Sequence, residues 1–201
     1  MLTHAQAIWK GFHWSFFLNV QGLIICLNRF EERLNQGQLD EANTELQTAT
    51  VLMRASGASM ELAGSFERDR YETEVRTSMK PPQVQSDNFS GLMSWEHAAL
   101  MKIWKRLQPL FANLPEALTE QHQAFVQAYM TLARSHRAVC DKFGGSDGGS
   151  LRFERSGAVE TLDKFGQSRL GLIDPCKTVS EDTRLTDQSG PAHAEHSVLE
   201  S

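Results

Sequence analysis

The chain has 201 residues, which is enough for one core of ordinary size, and nothing in its composition demands a second domain. Its formal net charge is −5 and its pI is about 5.8, so no nucleic-acid partner is expected, because phosphate binding needs a concentrated basic surface. Three widely spaced cysteines favour a reducing compartment over a disulfide framework. The most apolar stretch, 16–27, is too short to cross a bilayer and no signal peptide is evident, so we expect a cytoplasmic protein with no membrane partner.

Helical periodicity dominates the chain, and strand-like alternation is confined to a short candidate at 151–153. Apolar residues recur at helical spacing over 8–34, and again over 39–67 after a stop that contains Gly37. Shorter helices are predicted over 71–79, 94–111 and 115–143. The sequence therefore predicts an all-α fold, a helical bundle of about five core helices whose first two form an antiparallel hairpin.

The C-terminal part of the chain differs in composition from the rest. From residue 174 onward it is polar and poor in aromatic residues, which is typical of segments that cannot build a core. We therefore divide the chain into a helical domain, 1–173, and a polar, flexible tail, 174–201. The glycine-rich run that ends the fifth helix is either a linker or a loop that wraps a ligand with backbone amides; it lacks the pattern of a nucleotide loop.

The fifth predicted helix carries His136 and Cys140, four residues apart, so both side chains lie on one face about 6 Å from each other. A neutral histidine binds haem iron well, and a thiol nearby can reach the porphyrin edge. Taken alone, such a pair is more typical of ordinary core and boundary residues. The Cys-x-x-Cys-His motif of c-type haem attachment is absent.

Two other residues combine an ordinary explanation with a functional one. His13 is flanked by aromatic residues on the first helix, where a satisfied, partly buried histidine is the ordinary case. Arg76 is either an exposed helix arginine paired with Glu72 or a bidentate clamp for a substrate carboxylate. Zinc and di-iron sites are disfavoured, because the remaining histidines lack the usual ligand spacings.

In their order along the chain, these elements resemble tryptophan 2,3-dioxygenase and its haem-dependent aromatic oxygenase relatives, over about 9–153. In that family a distal histidine in the first long helix is followed by a Leu-Asp/Asn step and a Gly-x-Leu-x-Glu-Ala turn. Here His13, Leu27-Asn28 and 37–42 (GQLDEA) stand in the same register. The resemblance implies a tryptophan 2,3-dioxygenase-like bundle in which His13 faces the distal side of a haem.

The resemblance also implies residues for the substrate. The family's Arg-x-x-Leu-x-Pro segment, whose arginine holds the substrate carboxylate, corresponds to 76–81 (RTSMKP), and the Ser-Gly that follows corresponds to 90–91. Arg76 is then the carboxylate clamp and Ser90 a pocket residue. The aromatic residues of the first helix, Trp9, Phe12, Trp14 and Phe16, would supply an apolar wall for haem and substrate ring.

The axial ligand follows from the same resemblance. The family's axial histidine precedes a Gly-Thr-Gly-Gly-Ser loop, and here His136 precedes 148–150 (GGS). This makes His136 the iron ligand and Ser150 a substrate-binding residue. Cys140 departs from the tryptophan dioxygenases: a His-x-x-x-Cys helix resembles the haem site of the 3-methyl-tyrosine hydroxylases, which use peroxide and attach the porphyrin through one thioether.

The function implied is a haem-dependent monooxygenase, peroxygenase or dioxygenase that acts on an aromatic amino acid or indole-type substrate with dioxygen or peroxide. His136 would hold iron, His13 would move a proton, and Arg76 would fix the carboxylate. A homodimer or higher homo-oligomer is expected. Two alternatives remain open: a haem-binding protein without turnover, and a helical interaction module that binds no chromophore.

Overall fold

The structure is a computed structural model, and it describes residues 1–84, 94–144 and 158–176, with side chains in the last range described from residue 164. Helix α1 spans His4–Asn35 and begins with a capping box, in which Thr3 Oγ1 accepts the Gln6 N–H and the Gln6 side chain accepts the Thr3 N–H. It ends at Gln36, where Gly37 adopts a φ of +72°, a left-handed conformation that favours glycine.

Helix α2 spans Leu39–Ala63 and returns antiparallel to α1, which confirms the predicted hairpin. It stops four residues before the predicted end at 67, because the chain leaves the helix at Gly64. A short helical segment follows, made of Arg68–Arg70, a wider π turn over Tyr71–Val75, and Arg76–Ser78. We label this segment, residues 68–78, α3; it confirms the short third helix.

Helix α4 spans Trp95–Phe111, with the Ser94 side chain accepting the His97 backbone N–H, and α5 spans Glu116–Gly144. A sixth helix, α6, spans Ala158–Ile173 and was not among the predicted helices. The predicted all-α helical bundle is confirmed, with α6 in addition to the five helices predicted: every regular element in the described ranges is helical. The candidate strand at 151–153 and the tail from 177 onward lie outside the described residues.

The helices close into a ring. Helix α1 packs between α2 and α4, α2 packs on α5, α5 on α6, and α6 on α4. The main core fills the centre of this ring, and its largest fully buried side chains come from α1, α2, α4, α5 and α6: Leu23, Leu27, Phe30, Leu46, Met53, Leu107, Leu118, Phe125 and Ile173. No helix in the described ranges has both the length and the apolarity that crossing a membrane requires.

Helix α6 is locked to the ring by a buried histidine. The Nε2–H of His122 on α5 donates to the carbonyl of Ile173 at 2.7 Å, and its ring stacks on Phe111 of α4 with centroids 4.8 Å apart. A polar group buried this deeply needs such a partner to offset its lost hydration. His122 therefore joins α4, α5 and α6 at one point.

A second, smaller apolar cluster lies where α1 begins and α5 ends. Its buried members are Ala5, Phe66, Val75 and Phe143, and Ile8, Trp9, Tyr71, Met79 and Val139 pack against them. This cluster joins α1, α3 and α5 beside the histidines that the sequence singled out.

Candidate functional site

The rotation of α5 about its axis is set by close contact with α2. A β-carbon placed on Gly57 would lie 3.4 Å from Leu132 Cα, and one placed on Gly64 would lie 2.8 Å from Val139 Cγ2. Glycine at these two positions therefore lets the helices approach more closely than larger residues would allow. Leu132 and Val139 stand seven residues apart, so they mark one stripe of α5 that faces α2.

Two hydrogen bonds fix the same stripe. The Ser135 hydroxyl donates to Glu61 Oε1 at 2.6 Å, and the Lys142 ammonium donates to the Gly64 carbonyl at 2.9 Å. With 132, 135, 139 and 142 facing α2, helical geometry places the next stripe, 129, 136, 140 and 143, one step around the helix. That stripe carries the candidate haem ligand His136 and the thiol of Cys140.

Phe143 anchors the C-terminal end of this stripe in an aromatic cluster. Its ring stacks on Tyr71 at 4.4 Å between centroids with an interplanar angle of 8°, and it lies 6.1 Å from the ring of Trp9. Trp9 also contacts Tyr71 at 5.4 Å. Because such ring pairs bury large areas with a preferred geometry, they hold α1 and α3 against the site end of α5.

His13 enters the site from α1. Its Nδ1 lies 2.7 Å from the Trp9 carbonyl oxygen, and its ring lies 4.2 Å from the Trp9 ring. A carbonyl only accepts hydrogen bonds, so Nδ1 carries the proton and the lone pair resides on Nε2. Burial lowers the pKa of His13, and the hydrogen bond to Trp9 opposes that shift. The residue therefore presents a neutral imidazole whose Nε2 has no hydrogen-bond donor among the described residues.

His136 lies within electrostatic reach of His13. Its pKa is lowered to about 4, first by burial, then by the charge of Arg169 and by that of His13. At neutral pH its imidazole is uncharged and carries the lone pair that a metal ion needs. His13 of α1 therefore acts electrostatically on His136 of α5, and the role of the pair stays a prediction.

Cys140 lies one turn beyond His136. Burial raises the pKa of its thiol to about 11, so the sulfur stays protonated at neutral pH. Burial also raises the pKa of Tyr71 to about 12; the charge of Arg76 opposes this shift and that of Cys140 adds to it. Tyr71 therefore sits close to both Cys140 and Arg76, with its phenol protonated.

Arg76 pairs with Glu72, as the first of its two sequence interpretations predicted. Its guanidinium lies 3.4 Å from Glu72 Oε1, and 27% of its side chain is exposed. An i, i+4 ion pair of this kind is easily exchanged for another carboxylate, since exposed pairs contribute only about 0–1 kcal/mol. The clamp role stays a prediction. Ser90 and Ser150, the other predicted substrate residues, lie outside the described residues.

The predicted aromatic wall is only partly in place. Trp9 belongs to the small cluster beside His13, and Phe12 is half-buried on the same helix. Trp14 is 69% exposed, and Phe16 packs against the main core of the bundle. The helical period explains the difference. Residue 14 projects about 200° from residue 12 around α1, and residue 16 a further 200°, so Trp14 faces away from Phe12 and Phe16.

Sequence reasoning missed two polar residues that line the same region. Arg169 of α6 donates from Nη2 to Nε2 of His97 on α4 at 3.2 Å, and its guanidinium lies 5.4 Å from the ring centre of Phe165. Burial lowers the pKa of Arg169. The pKa of His97 is lowered to about 4, first by burial and then by the charge of Arg169. The signal was hidden, because α6 itself was not predicted.

The donor set suits a group that needs one protein ligand. Within the described ranges, no cluster of three or more His, Cys, Asp or Glu side chains is placed to hold a metal ion. A porphyrin supplies four nitrogens of its own and needs a single imidazole. A neutral histidine with a thiol one turn away and aromatic rings nearby has the donor chemistry that such a group needs.

The fold and site thus define an all-helical protein with two neutral imidazoles beside a protonated thiol. A sequence profile described as SfmD 3-methyl-L-tyrosine peroxygenase matches residues 3–121, more than half of the chain, and the chain belongs to this family. That range contains His13 and ends before His136. The predicted resemblance to the 3-methyl-tyrosine hydroxylases is therefore confirmed as a family relationship over residues 3–121.

A similar protein of known name supports this family assignment. The 3-methyl-L-tyrosine peroxygenase of Streptomyces lavendulae is 26% identical over 169 residues, which cover 83% of this chain and 46% of the relative. The chain therefore spans about half the length of that protein. No solved structure is detectably similar to the chain.

The lowered pKa of His97 predicts acid sensitivity. The ordinary value is 6.5 and the folded value about 4, so the unfolded chain takes up this proton first as the pH falls. The stability present above pH 6.5 is then lost between about pH 6.5 and 4. We expect the urea midpoint to fall over this window, and to fall less in His97→Gln than in the wild type.

His4→Ala removes an exposed histidine and serves as the control, with an expected profile like that of the wild type. Buried His13, His122 and His136 also have lowered pKa values, so His97→Gln should retain part of the acid sensitivity. If the midpoints of His97→Gln and the wild type fall equally, the assignment to His97 is wrong.

Proposed function

We propose that this chain binds haem through His136 and serves the peroxide-dependent oxygenation of an aromatic amino acid. The observation that carries the proposal is the approach of two neutral imidazoles, His136 and His13, from different helices of a chain that belongs to a peroxygenase family. A peroxygenase inserts one peroxide oxygen into its substrate and releases the other as water. The aromatic amino acid follows from the name of the Streptomyces relative.

His136 is the proposed axial ligand. Its uncharged imidazole provides the lone pair for iron, and the flanking contacts of α5 with α2 hold the helix from which it projects. When bound, haem would supply the oxidising chemistry, while the protein would supply binding and orientation. Ligand residues are most effective when their own helix is locked by packing, as α5 is here.

Cys140 is the proposed attachment point. Its thiol lies one helical turn from His136, about 6 Å along the axis, which is within the radius of a porphyrin. Addition of the S–H group across a vinyl C=C bond would join sulfur to one carbon and the proton to the other, so no oxidant is required. The raised pKa of Cys140 keeps that proton on the sulfur before reaction.

His13 is the proposed proton acceptor. The hydrogen bond from Nδ1 to the Trp9 carbonyl fixes the ring and directs the basic Nε2 away from its own helix. With haem and peroxide bound, His13 would serve as general base for the peroxide proton and as general acid toward the oxygen released as water. Its lowered pKa keeps it unprotonated and ready to accept.

Trp9 and Phe12 are the proposed wall for the substrate ring, and Arg76, beside Tyr71, remains the proposed clamp for its carboxylate. We extend the proposal to membership of the tryptophan 2,3-dioxygenase-like superfamily and to assembly as a homodimer or larger homo-oligomer. In these terms the chain would be the part of a peroxygenase that carries haem and holds the substrate.

Haem binding is tested by removing the axial imidazole. Purified chain loaded with haem should show a Soret band, and His136→Ala should shift or abolish it and weaken haem binding at least tenfold. His4→Ala, which removes an exposed imidazole, should leave the band unchanged. A chain that gives no Soret band on reconstitution, or an unaltered band in His136→Ala, contradicts the proposal.

The covalent link is tested on the same material. Acidified acetone should leave haem on the wild-type polypeptide, and intact-mass measurement should show the mass of one added haem. Cys140→Ser should release all haem, whereas Cys176→Ser, which alters an exposed cysteine, should retain it. Complete extraction from the wild type would show that Cys140 forms no thioether.

A further inference from the structure

Arg169 differs from the ion-paired arginines of the bundle. Four other arginines pair with glutamates at 2.7 to 3.8 Å: Arg29 with Glu45, Arg70 with Glu74, Arg76 with Glu72, and Arg106 with Glu31. Over the parts of the chain that the structure describes, no carboxylate lies within 4.0 Å of the Arg169 guanidinium. Its contacts are the neutral groups of His97, Tyr129 and Phe165.

These partners occupy only part of its hydrogen-bonding capacity. A guanidinium carries five N–H donors. One is directed at His97 Nε2, at 3.2 Å, and another side-chain hydrogen bond joins Arg169 to Tyr129. The Tyr129 hydroxyl donates its own proton to the Gly166 carbonyl at 3.2 Å, so its oxygen is the acceptor for Arg169. Several donors of the planar fork have no acceptor among the described residues and remain for an oxygen-rich ligand.

A half-buried cation without a counter-charge is costly, because burial removes its hydration and neutral acceptors restore only part of it. Burial lowers the pKa of Arg169 accordingly. A carboxylate that arrives with a ligand would restore the balance, and the planar guanidinium matches it in bidentate geometry. Unmet charge of this kind marks ligand sites more often than stable cores.

The position of Arg169 relates it to the proposed haem site. The Tyr129 hydroxyl donates to the carbonyl of Gly166, three residues before Arg169, so the stripe of α5 that carries His136 faces α6. The charge of Arg169 is also one of the causes that lower the pKa of His136. Tyr129 precedes His136 by seven residues on the same stripe of α5 and connects the two. A carboxylate bound at Arg169 would therefore lie near Tyr129, about two helical turns from His136 on the same face of α5.

We propose that Arg169, oriented by His97 and Tyr129, binds a carboxylate of the ligand held at His136. This inference rests on the proposed function. Two sources share the chemistry: a propionate of the porphyrin, and the α-carboxylate of the aromatic amino acid. The role is distinct from that of Arg76, whose guanidinium already has Glu72 as its partner.

The test uses two matched pairs of probes on the full chain. The first pair is haem and its dimethyl ester, in which the propionates are uncharged. The second pair is 3-methyl-L-tyrosine and 3-methyltyramine, the amine that lacks the carboxylate, titrated into haem-loaded protein by calorimetry. Arg169→Gln should weaken the carboxylate-bearing member of one pair by roughly 10- to 100-fold and the matched member by less than twofold, as expected for a lost charge-assisted hydrogen bond.

Two further variants complete the design. Arg169→Lys keeps the charge without the fork and should lose less affinity than Arg169→Gln; it also decides the result if Arg169→Gln fails to fold by circular dichroism. Arg106→Gln removes an ion-paired arginine of α4 and should leave all four affinities unchanged. Arg76→Gln is measured in parallel as the competing clamp.

Each outcome has a defined meaning. Selective loss in the haem pair assigns the propionate, and selective loss in the amino-acid pair assigns the substrate. Equal loss within both pairs, no loss in either, or selective loss only in Arg76→Gln overturns the inference and leaves the proposed function standing. Failure of the wild type to bind haem contradicts the proposed function, and the amino-acid pair, titrated into unloaded protein, then decides the inference alone.

Discussion

The site depends on how closely α5 lies against α2. Gly57 and Gly64 leave room for Leu132 and Val139, and Ser135 and Lys142 add hydrogen bonds along the same line. These contacts fix the rotation of α5. If α5 packed on α2 through residues one position further along, the stripe with His136 and Cys140 would turn by about 100°. The proposed chemistry of His136 and Cys140 therefore rests on a packing feature of small residues elsewhere in the chain.

Neutrality is the second feature that unites the site. Burial holds the imidazoles of His13 and His136 uncharged, and it keeps the thiol of Cys140 and the phenol of Tyr71 protonated. In such surroundings the charge of Arg169 acts on His136, and that of Arg76 acts on Tyr71. A cation in a low-dielectric environment attracts a carboxylate-bearing ligand and strengthens each interaction formed with it.

Sequence predicted the fold better than the site. Helical periodicity and Gly37 were sufficient for α1, α2 and their turn, because both are local signals. Helix α6 was missed, since it follows a glycine-rich run that reads as the end of the core. Arg169 on that helix was missed with it: its importance lies in the lack of a charged partner among the described residues, which is a tertiary property.

The histidines show a third case. His13 and His136 stand 123 positions apart, and no spacing rule relates them; the order of elements shared with a known family did so. Their approach depends on the ring of helices and on the aromatic contacts of Trp9, Tyr71 and Phe143. Trp9 and Trp14 were both predicted as wall residues, but Trp9 packs in the small cluster and Trp14 is exposed. They differ because they lie on different sides of α1.

The most direct measurement is resonance Raman spectroscopy of the reduced, haem-loaded chain. The account predicts an iron–imidazole stretching band that shifts when histidine is labelled with ¹⁵N and that disappears in His136→Gly. Absence of that band from the wild-type protein, or its persistence in His136→Gly, would contradict the claim that His136 grips the iron.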